Sequence, residues 1–213
     1  DIQRYKINWD NKYLIFTKRG TKISNYPAIQ KYLNQYKDEL MPKPKNWKGE
    51  KWKGRKPGPY KWFEIQDTVA YSDEFEKPKI IYPNICNRNI FTYDSEGLYT
   101  NQKCFIIPGG SYALLGVLNS SVWFFLYEQV LPKLRGGFFE PSYVFLKDFS
   151  IPVIDVESEK TLTASVKALL EEKNTALDQG SQAQARTLKI EALEAAIDDL
   201  VFKLYGLNED EIE

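Results

Sequence analysis

Residues 41–61 restrict the fold more than any other part of the sequence, because they have neither a helical nor a strand period. Four prolines and three glycines interrupt these 21 residues. Proline removes a backbone hydrogen-bond donor and glycine favours irregular backbone, so regular secondary structure is disfavoured here. A loop of this length without secondary structure of its own is typical of a functional or a disordered segment. We predict a long ordered loop and call residues 41–61 the lysine loop.

Short strands and one helix are predicted on either side of the lysine loop. Residues 5–16 are rich in aromatic and β-branched side chains, which predicts a short hairpin or two extended segments. Pro27 is suited to the first turn of a helix that runs to Leu40, with apolar residues at spacings of three and four. After the loop, the composition predicts strands at 62–67, 79–85, 89–94, 98–107 and 138–153, of which the third and fourth form a hairpin.

Two helical regions complete the prediction. The apolar run 111–131 begins with serine and precedes Pro132, which indicates a core helix. Two heptad-like stripes are then separated by a turn at residues 179–181, and Gly206 lies where a C-terminal cap belongs. The stripes consist of Leu162, Val166, Leu169, Lys173 and Leu177, and of Leu193, Ile197, Leu200 and Leu204. We therefore predict an α+β fold, with a mixed-sheet domain at 1–155 followed by an antiparallel helical hairpin at 156–213.

The composition excludes several classes of chemistry. Histidine is absent, which removes Ser-His-Asp and Cys-His nucleophiles and His-ligated zinc. Two cysteines, Cys86 and Cys104, cannot form a four-thiolate metal site, and they indicate reduced thiols in a cytoplasm. No apolar run approaches the roughly 20 residues of a membrane span, and no phosphate-binding glycine motif or convincing carboxylate set occurs. We expect a non-membrane chain that has no catalytic residue, metal or cofactor of its own.

The net charge of zero conceals a division along the chain. Residues 1–150 carry 23 Lys and Arg against 15 Asp and Glu, whereas residues 151–213 carry 6 against 14. Positive charge is concentrated at residues 1–63, where 16 basic residues face 5 acidic ones. A block of this sign suits a polyanion-binding surface, because each neutralised phosphate releases condensed counterions. A lysine-rich surface that only confers solubility is the alternative.

The lysine loop carries the main candidate site. In WKGEKWKGRKPGPYKW, cationic side chains alternate with aromatic rings, and glycine and proline let a groove approach the backbone. The alternative is that the tryptophans anchor the loop by apolar packing while the lysines face water. We predict phosphate contacts from the basic residues of the loop, with Arg55 also a candidate for contact with a base edge: Lys43, Lys45, Lys48, Lys51, Lys53, Arg55, Lys56 and Lys61.

Two shorter segments are further candidates for base or phosphate contacts. Asn87, Arg88 and Asn89 have side chains able to contact base edges, although asparagine is also common in turns. Lys133 and Arg135 precede two glycines in a basic elbow that also fits a helix C-cap. Two other functions stay open at this point. A carbohydrate or peptide binder would use the same Trp and Tyr faces, and an assembly module would dock through the acidic hairpin.

Several blocks of sequence, taken in order, resemble one known family. They are YPAIQKYLNQYKDEL, PKPKNWKGEKWKGRKPGPYKWFEIQDTVAY, FEKPKIIYPNI, YALLGVLNSSVWFFL and FSIPVI. Over about residues 1–155 the chain resembles the TaqI-like C-terminal specificity domain. This family is the target recognition domain of N6-adenine DNA methyltransferases in type IIG restriction-modification enzymes. The chain starts at Asp1 rather than Met, and we expect it to be a piece of such a longer polypeptide.

The resemblance implies a function that composition alone does not show. It implies sequence-specific recognition of double-stranded DNA, which positions a linked methyltransferase module on its target adenine. That module would bind S-adenosylmethionine, and a nuclease module on the same polypeptide is a further partner. The family pattern implies scaffold roles for Trp62, Glu64, Ile65, Tyr82 and Pro83, and it implies that specificity varies within residues 86–103.

Overall fold

The computed structural model describes residues 2–175 and 181–212, apart from the side chain of Ser181. The chain forms two compact units. Residues 11–72 form the basic unit, with 14 Lys and Arg against 5 Asp and Glu. Residues 1–10 and 73–213 form the acidic unit, with 15 against 24. The division of charge along the sequence is therefore a division between compact units, with net charges of +9 and −9.

The basic unit consists mainly of loops around two short helices. A 3-10 helix, Ile23–Asn25, precedes α1, Pro27–Asn34, and α2, Lys37–Leu40. The predicted continuous helix is thus interrupted after Asn34, where the next two backbone N–H groups donate to carbonyl oxygens only three residues back. The lysine loop contains neither helix nor strand, as predicted, and has a single parallel bridge between Pro42 and Arg55.

The strand predicted at residues 62–67 is wrong. The carbonyl oxygens of this segment accept hydrogen bonds from side chains rather than from a neighbouring strand. Phe63 accepts from the hydroxyl of Thr17, and Gln66 accepts from Arg19 at 3.0 Å. Arg55 donates to several other carbonyl oxygens of the segment. Because side-chain donors satisfy these acceptors, the segment needs no strand partner.

The acidic unit contains three small antiparallel sheets. Strands β1, Ile2–Gln3, and β2, Lys6–Ile7, form a hairpin at the start of the chain. The largest sheet has the order β4-β3-β5, in which β3 is Lys79–Pro83, β4 is Thr92–Asp94 and β5 is Cys104–Pro108. The third sheet pairs β6, Lys133–Leu134, with β7, Phe138–Phe139. All strand pairs in the described ranges are antiparallel, whereas we predicted a mixed sheet.

The central sheet also corrects the predicted hairpin between 89–94 and 98–107. Strands β4 and β5 each pair with β3 and are not neighbours. Strand β3 is buried over its first four residues, which is typical of a central strand. Its Lys79 is fully buried and forms an ion pair with Asp94 of β4. Asp94 also accepts the backbone N–H groups of Glu96 and Leu98, both at 2.9 Å, so the chain turns away after β4.

Helices complete the core of the acidic unit. The predicted helix 111–131 is two helices, α3, Tyr112–Asn119, and α4, Ser121–Val130. The hydroxyl of Ser120 accepts the backbone N–H of Trp123, which starts α4 with a new N-cap. Within the region predicted as strand at 138–153, only β7 and a short helix, α5, Tyr143–Leu146, form. A 3-10 helix, Ser72–Glu76, lies where the chain passes from one unit to the next.

The C-terminal helical hairpin is present and belongs to the same core. It consists of α6, Val156–Asn174, and α7, Ser181–Tyr205, followed by α8, Glu209–Ile212. Buried residues of both stripes share one apolar cluster with Ile80 of β3, namely Leu162, Val166, Leu169 and Ile197. Gly206 has a φ of +70°, and the N–H of Leu207 donates to Phe202, which confirms the predicted C-cap. Leu177 and the predicted turn at 179–180 lie outside the described residues.

The compact units are divided differently from the predicted domains. We predicted a boundary near residue 155, but the hairpin packs closely on α3, where a Cβ added to Gly116 would lie 3.0 Å from Val166. A separate role for residues 156–213 stays a prediction. The α+β class with a C-terminal helical hairpin is confirmed. Among the helices that the structure describes, none is long and apolar enough to cross a membrane.

Candidate nucleic-acid interface

The lysine loop is held in shape by its own backbone. The N–H of Lys43 donates to Arg55 at 3.0 Å, and the N–H of Arg55 donates to Met41 at 2.9 Å. The indole N–H of Trp52 donates to the same carbonyl oxygen of Met41 at 3.1 Å. The backbone at Met41 and the backbone at Gly54 approach each other so closely that a Cβ added to Gly54 would lie 2.2 Å from the Met41 oxygen. The sequence therefore needs glycine at this position.

Arg55 fixes the loop to the segment that follows it. Its guanidinium donates to Leu40 at 2.7 Å, and to Glu64 and Trp62 at 2.8 Å each. It also lies 4.6 Å from the ring centroid of Tyr60. A planar guanidinium with five donors satisfies several carbonyl oxygens at once, which an ammonium group does not. These bonds give Arg55 a structural role and occupy most of its donors, and the predicted contact of Arg55 with DNA stays a prediction.

Most lysine side chains of the loop are exposed, whereas that of Arg55 is half-buried. Lys43 is half-buried and the other six are exposed. Within the part of the chain that the structure describes, none of the seven forms a salt bridge, and Glu50 is the sole acidic residue of the loop. A loop held by its own hydrogen bonds thus presents mostly exposed ammonium groups that form no salt bridge with the described residues. The seven are Lys43, Lys45, Lys48, Lys51, Lys53, Lys56 and Lys61.

The tryptophans of the loop contact neighbouring side chains. Trp47 and Trp52 meet edge to face with ring centroids 4.9 Å apart, and Trp47 keeps 41% of its surface exposed. The ammonium of Lys37 lies 5.5 Å from the ring centroid of Trp62. Trp52 and Trp62 are half-buried, which agrees with the alternative that tryptophan anchors the loop. Trp47 retains enough free surface to stack against a ligand.

Glu64 is buried and holds the other end of the loop. Its two carboxylate oxygens accept the backbone N–H groups of Gly20 at 2.9 Å and Lys61 at 2.8 Å. Burial by itself raises the pKa of this carboxyl group. The backbone donors of Lys61 and Gly20, with the nearby charges of Lys61 and Arg19, outweigh burial and lower the pKa below its ordinary value. Glu64 is therefore an ionised structural residue, as the family pattern implies.

The structure separates the three residues predicted at 87–89. Asn87 and Arg88 are exposed, and the Arg88 guanidinium lies 5.8 Å from the ring centroid of Phe124. Asn89 is fully buried, and its amide nitrogen donates to Leu118 at 2.9 Å and Ser120 at 2.8 Å. Since Asn89 is needed at the junction of α3 and α4, the prediction that it contacts DNA is not compatible with its position.

Lys133 and Arg135 lie on the hairpin formed by β6 and β7. Both side chains are exposed, and Gly136 and Gly137 form the turn with φ values of +86° and +78°. Helix α4 ends earlier, at Val130, so the alternative of a helix C-cap for this segment does not hold. The turn conformation requires glycine, and it leaves the two cations available for a ligand.

A second group of basic residues lies in the acidic unit, and no pattern in the sequence indicates it. Arg88 lines a cleft of about 500 Å³ with four other cations, Arg4, Lys6, Lys173 and Arg186. These residues come from the first hairpin, α6 and α7, so no local pattern connects them. The charge of the acidic unit as a whole also hides them. In the described ranges, no cluster of His, Cys, Asp and Glu is arranged to hold a metal ion.

Comparisons with known proteins agree with one another. The family described as the TaqI-like C-terminal specificity domain matches residues 1–152. The chain is 24% identical over 220 residues to the type II methyltransferase M.BstVI of Geobacillus stearothermophilus. That match covers 100% of this chain and 34% of M.BstVI, so the chain spans about a third of its relative. The fold is similar to part of the type IIL restriction-modification enzyme MmeI, whose structure is in complex with DNA. The TM-score is 0.51 at 17% identity, over 70% of this chain and 20% of MmeI.

Proposed function

The chain belongs to the TaqI-like C-terminal specificity domain family, and from this premise we propose that it recognises a specific sequence in double-stranded DNA. In this proposal it positions an N6-adenine methyltransferase module of the same polypeptide on its site, as in type IIG enzymes. S-adenosylmethionine binds to that module, and a nuclease module is a possible third part. The relative M.BstVI, a type II methyltransferase about three times as long, supports a linked module of this kind. The reduced cysteines fit a cytoplasmic enzyme.

The lysine loop is the observation that carries the proposal. Seven lysines that form no salt bridge with any described residue lie on a loop whose backbone is held in place by Arg55 and Trp52. Pre-ordering matters because a rigid loop loses little conformational entropy on binding. Each lysine that neutralises a DNA phosphate releases condensed counterions, which gives affinity for any duplex. The loop is thus suited to hold DNA rather than to distinguish its bases.

Base recognition needs side chains with directional donors and acceptors. Of the predicted residues outside the lysine loop, Asn87, Arg88 and Arg135 are exposed and have such groups, and Lys133 offers a further phosphate contact. Arginine forms a bidentate pair with guanine and asparagine with adenine in the major groove. We propose that these side chains supply part of the sequence specificity, while the lysine loop supplies affinity.

Selection from a random pool of duplexes, followed by fluorescence anisotropy at several salt concentrations, tests the function. We expect an enriched sequence, and an affinity that falls steeply as salt rises. Replacing Lys48, Lys51 and Lys53 by alanine should weaken binding to all duplexes. It should reduce the slope of log K against log salt by about 2.7, or about 0.9 per lost phosphate contact. Exposed lysines of the acidic unit, Lys160 and Lys203, provide the control.

Two results would contradict the proposal. A pool that yields no enriched sequence would exclude sequence-specific recognition by this chain. Binding that is indifferent to salt, or a triple lysine variant with an unchanged slope, would remove the lysine loop from the interface. Salt-independent binding would instead favour a carbohydrate or peptide ligand for the tryptophan faces.

A further inference from the structure

The cleft in the acidic unit is positively charged although the unit itself is acidic. Its walls are the first hairpin, the segment at Arg88 and Ile90, the end of α6 and the start of α7. Five cationic side chains and a single carboxylate, Glu194, line the space of about 500 Å³. The lining therefore has a formal charge of +4 within a unit of net charge −9. Such a local reversal of charge needs a reason.

Three of the cations have partners that hold them in place. Glu194 forms ion pairs with Arg4 at 3.5 Å and with Lys173 at 2.6 Å. Arg4 also donates to the carbonyl oxygen of Asn119 at 2.7 Å. Arg186 donates to the carbonyl oxygens of Glu172 and, at 2.7 Å, Thr175, which cap the end of α6. The guanidinium of Arg186 also lies 3.9 Å from the carboxylate of Glu172, which is outside the lining. Glu194 is shared by two cations, so the five cations of the cleft still exceed their carboxylate partners among the described residues.

The other donors of the cleft, on Lys6, Arg88 and the Nε of Arg4, have no acceptor among the described residues. Neither Lys6 nor Arg88 forms a salt bridge with any residue that the structure describes. The Nε of Arg4 is buried and has no hydrogen-bond partner in the described part of the chain. The Arg88 side chain is exposed overall, but partial desolvation of its guanidinium and the like charge of Arg4 both lower its pKa. A buried donor without a partner costs free energy, which an anion bound in the cleft would offset.

We propose that this cleft is a phosphate-binding site formed by Lys6, Arg88 and Arg4, which assigns Arg88 a contact with the DNA backbone in place of a base contact. Guanidinium groups match the geometry of phosphate oxygens, and an ammonium adds charge at close range. The source we favour is the DNA backbone, because Arg88 follows Asn87, a candidate for base contact. A phosphate held by Arg88 would fix the strand beside Asn87. In this form the inference rests on the proposed function, and a free phosphoryl compound is the other source.

The double variant Lys6→Ala/Arg88→Ala tests the site in the 213-residue chain. If the cleft binds the DNA backbone, the slope of log K against log salt should fall by up to about 1.8, or about 0.9 per contact. The control Lys160→Ala/Lys203→Ala removes the same charge from the same unit and should leave the slope unchanged. A second variant, Glu194→Gln, keeps one acceptor oxygen and the shape of the side chain but removes the negative charge. It should raise the affinity about threefold at low salt.

Titration with inorganic pyrophosphate, followed by NMR of the arginine Nε–H groups, separates the two sources. Pyrophosphate should shift the Arg88 and Arg4 signals in the unmodified chain, whereas the Arg4 signal should not move in the double variant, which lacks Arg88. If these shifts occur while the double variant keeps its full DNA salt slope, the ligand is a free phosphoryl compound. If neither the slope nor the NMR signals respond, the inference is overturned.

The same experiments distinguish failure of the site from failure of the proposed function. If the chain recognises DNA through the lysine loop but the cleft responds in neither assay, the proposed function stands and the phosphate site is refuted. A chain that binds no DNA loses the proposed function. The pyrophosphate titration alone then decides whether the cleft binds phosphate.

Discussion

Replacing Arg55 by lysine separates a structural role from a role in base contact. The substitution keeps the positive charge and most of the side-chain length. It removes the planar fork that donates to Leu40, Trp62 and Glu64 at 2.7–2.8 Å. If the guanidinium mainly fixes the lysine loop, the variant should lose stability in the basic unit. Its preference among DNA sequences should remain unchanged.

The expected loss follows from the number of bonds that lysine does not replace. An ammonium at this position reaches one of the three close carbonyl oxygens, so two hydrogen bonds disappear. A hydrogen bond from a charged donor contributes about 1.5 kcal/mol at the lower end of the usual range. That end is appropriate for a half-buried group such as Arg55. We therefore expect Arg55→Lys to lower the free energy of unfolding of the basic unit by about 3 kcal/mol.

Hydrogen exchange of the backbone amides of Lys43 and Arg55 reports on the loop directly, because both donate across it. We expect faster exchange at these amides in Arg55→Lys and weaker binding to all duplexes alike. Lys56→Ala is the control for the exchange measurement alone, since it removes an exposed neighbouring charge and no hydrogen bond of the side chain. A variant with unchanged exchange and an altered preference at one base pair would refute the reasoning. Arg55 would then be a base-contacting residue.

Three further substitutions test individual contacts. Glu64→Gln should make the free energy of unfolding less sensitive to acid. Folding lowers the pKa of Glu64 below its ordinary value of 4.5. The stabilisation by its carboxylate is therefore present above pH 4.5 and is lost as the pH falls through the lower folded pKa. Urea unfolding from about pH 6 to about pH 3 measures this. Gly54→Ala places a methyl group against the Met41 oxygen, and should destabilise the loop by about 1–3 kcal/mol and weaken DNA binding, as urea unfolding and anisotropy will show. Asn89→Ala leaves the buried carbonyl oxygen of Leu118 without a donor and that of Ser120 with the N–H of Phe124 alone, and should cost about 1–3 kcal/mol in calorimetry without changing the preferred DNA sequence.

The parts of the fold that the sequence predicts well are those with local signals. The two helices of the C-terminal hairpin follow from apolar spacing, and Gly206 ends the second because its φ of +70° suits glycine. The lysine loop follows from proline, glycine and the lack of a period. In each case a residue and its near neighbours carry the information. Tertiary contacts then only reinforce what the local sequence favours.

The predictions that failed depended on partners distant in sequence. Residues 62–67 have strand composition, yet Arg55 and Thr17 take up the backbone acceptors that a strand would use. The short spacing between 89–94 and 98–107 suggested a hairpin. Strand β3 instead pairs with both segments, because its buried apolar side chains place it in the centre. Composition indicates an extended chain but does not identify its neighbour.

The candidate site shows the same limit at the level of single residues. Asn87, Arg88 and Asn89 are adjacent and equally polar, but only Asn89 is buried, because two carbonyl oxygens between α3 and α4 need a donor. Arg88 lines the cleft together with Arg4 and Arg186, each of which lies more than 80 residues away from it along the chain. No short segment of the sequence therefore predicts that these residues lie close together.

In the lysine loop, arginine is bound to the backbone whereas the lysines are mostly exposed. This difference suggests that affinity for DNA and specificity for its sequence come from different residues. The one arginine of the loop is bound to backbone carbonyl oxygens, so the loop lacks the side chain best suited to guanine. Its exposed cations are all lysines, which act on phosphate as flexible point charges and carry little information about sequence. In the proposed function, specificity then comes from elsewhere in the chain, where Asn87 and Arg135 are exposed. Exchanging residues 86–103 between relatives should therefore change the recognised sequence, whereas exchanging the lysine loop should change only the strength of binding.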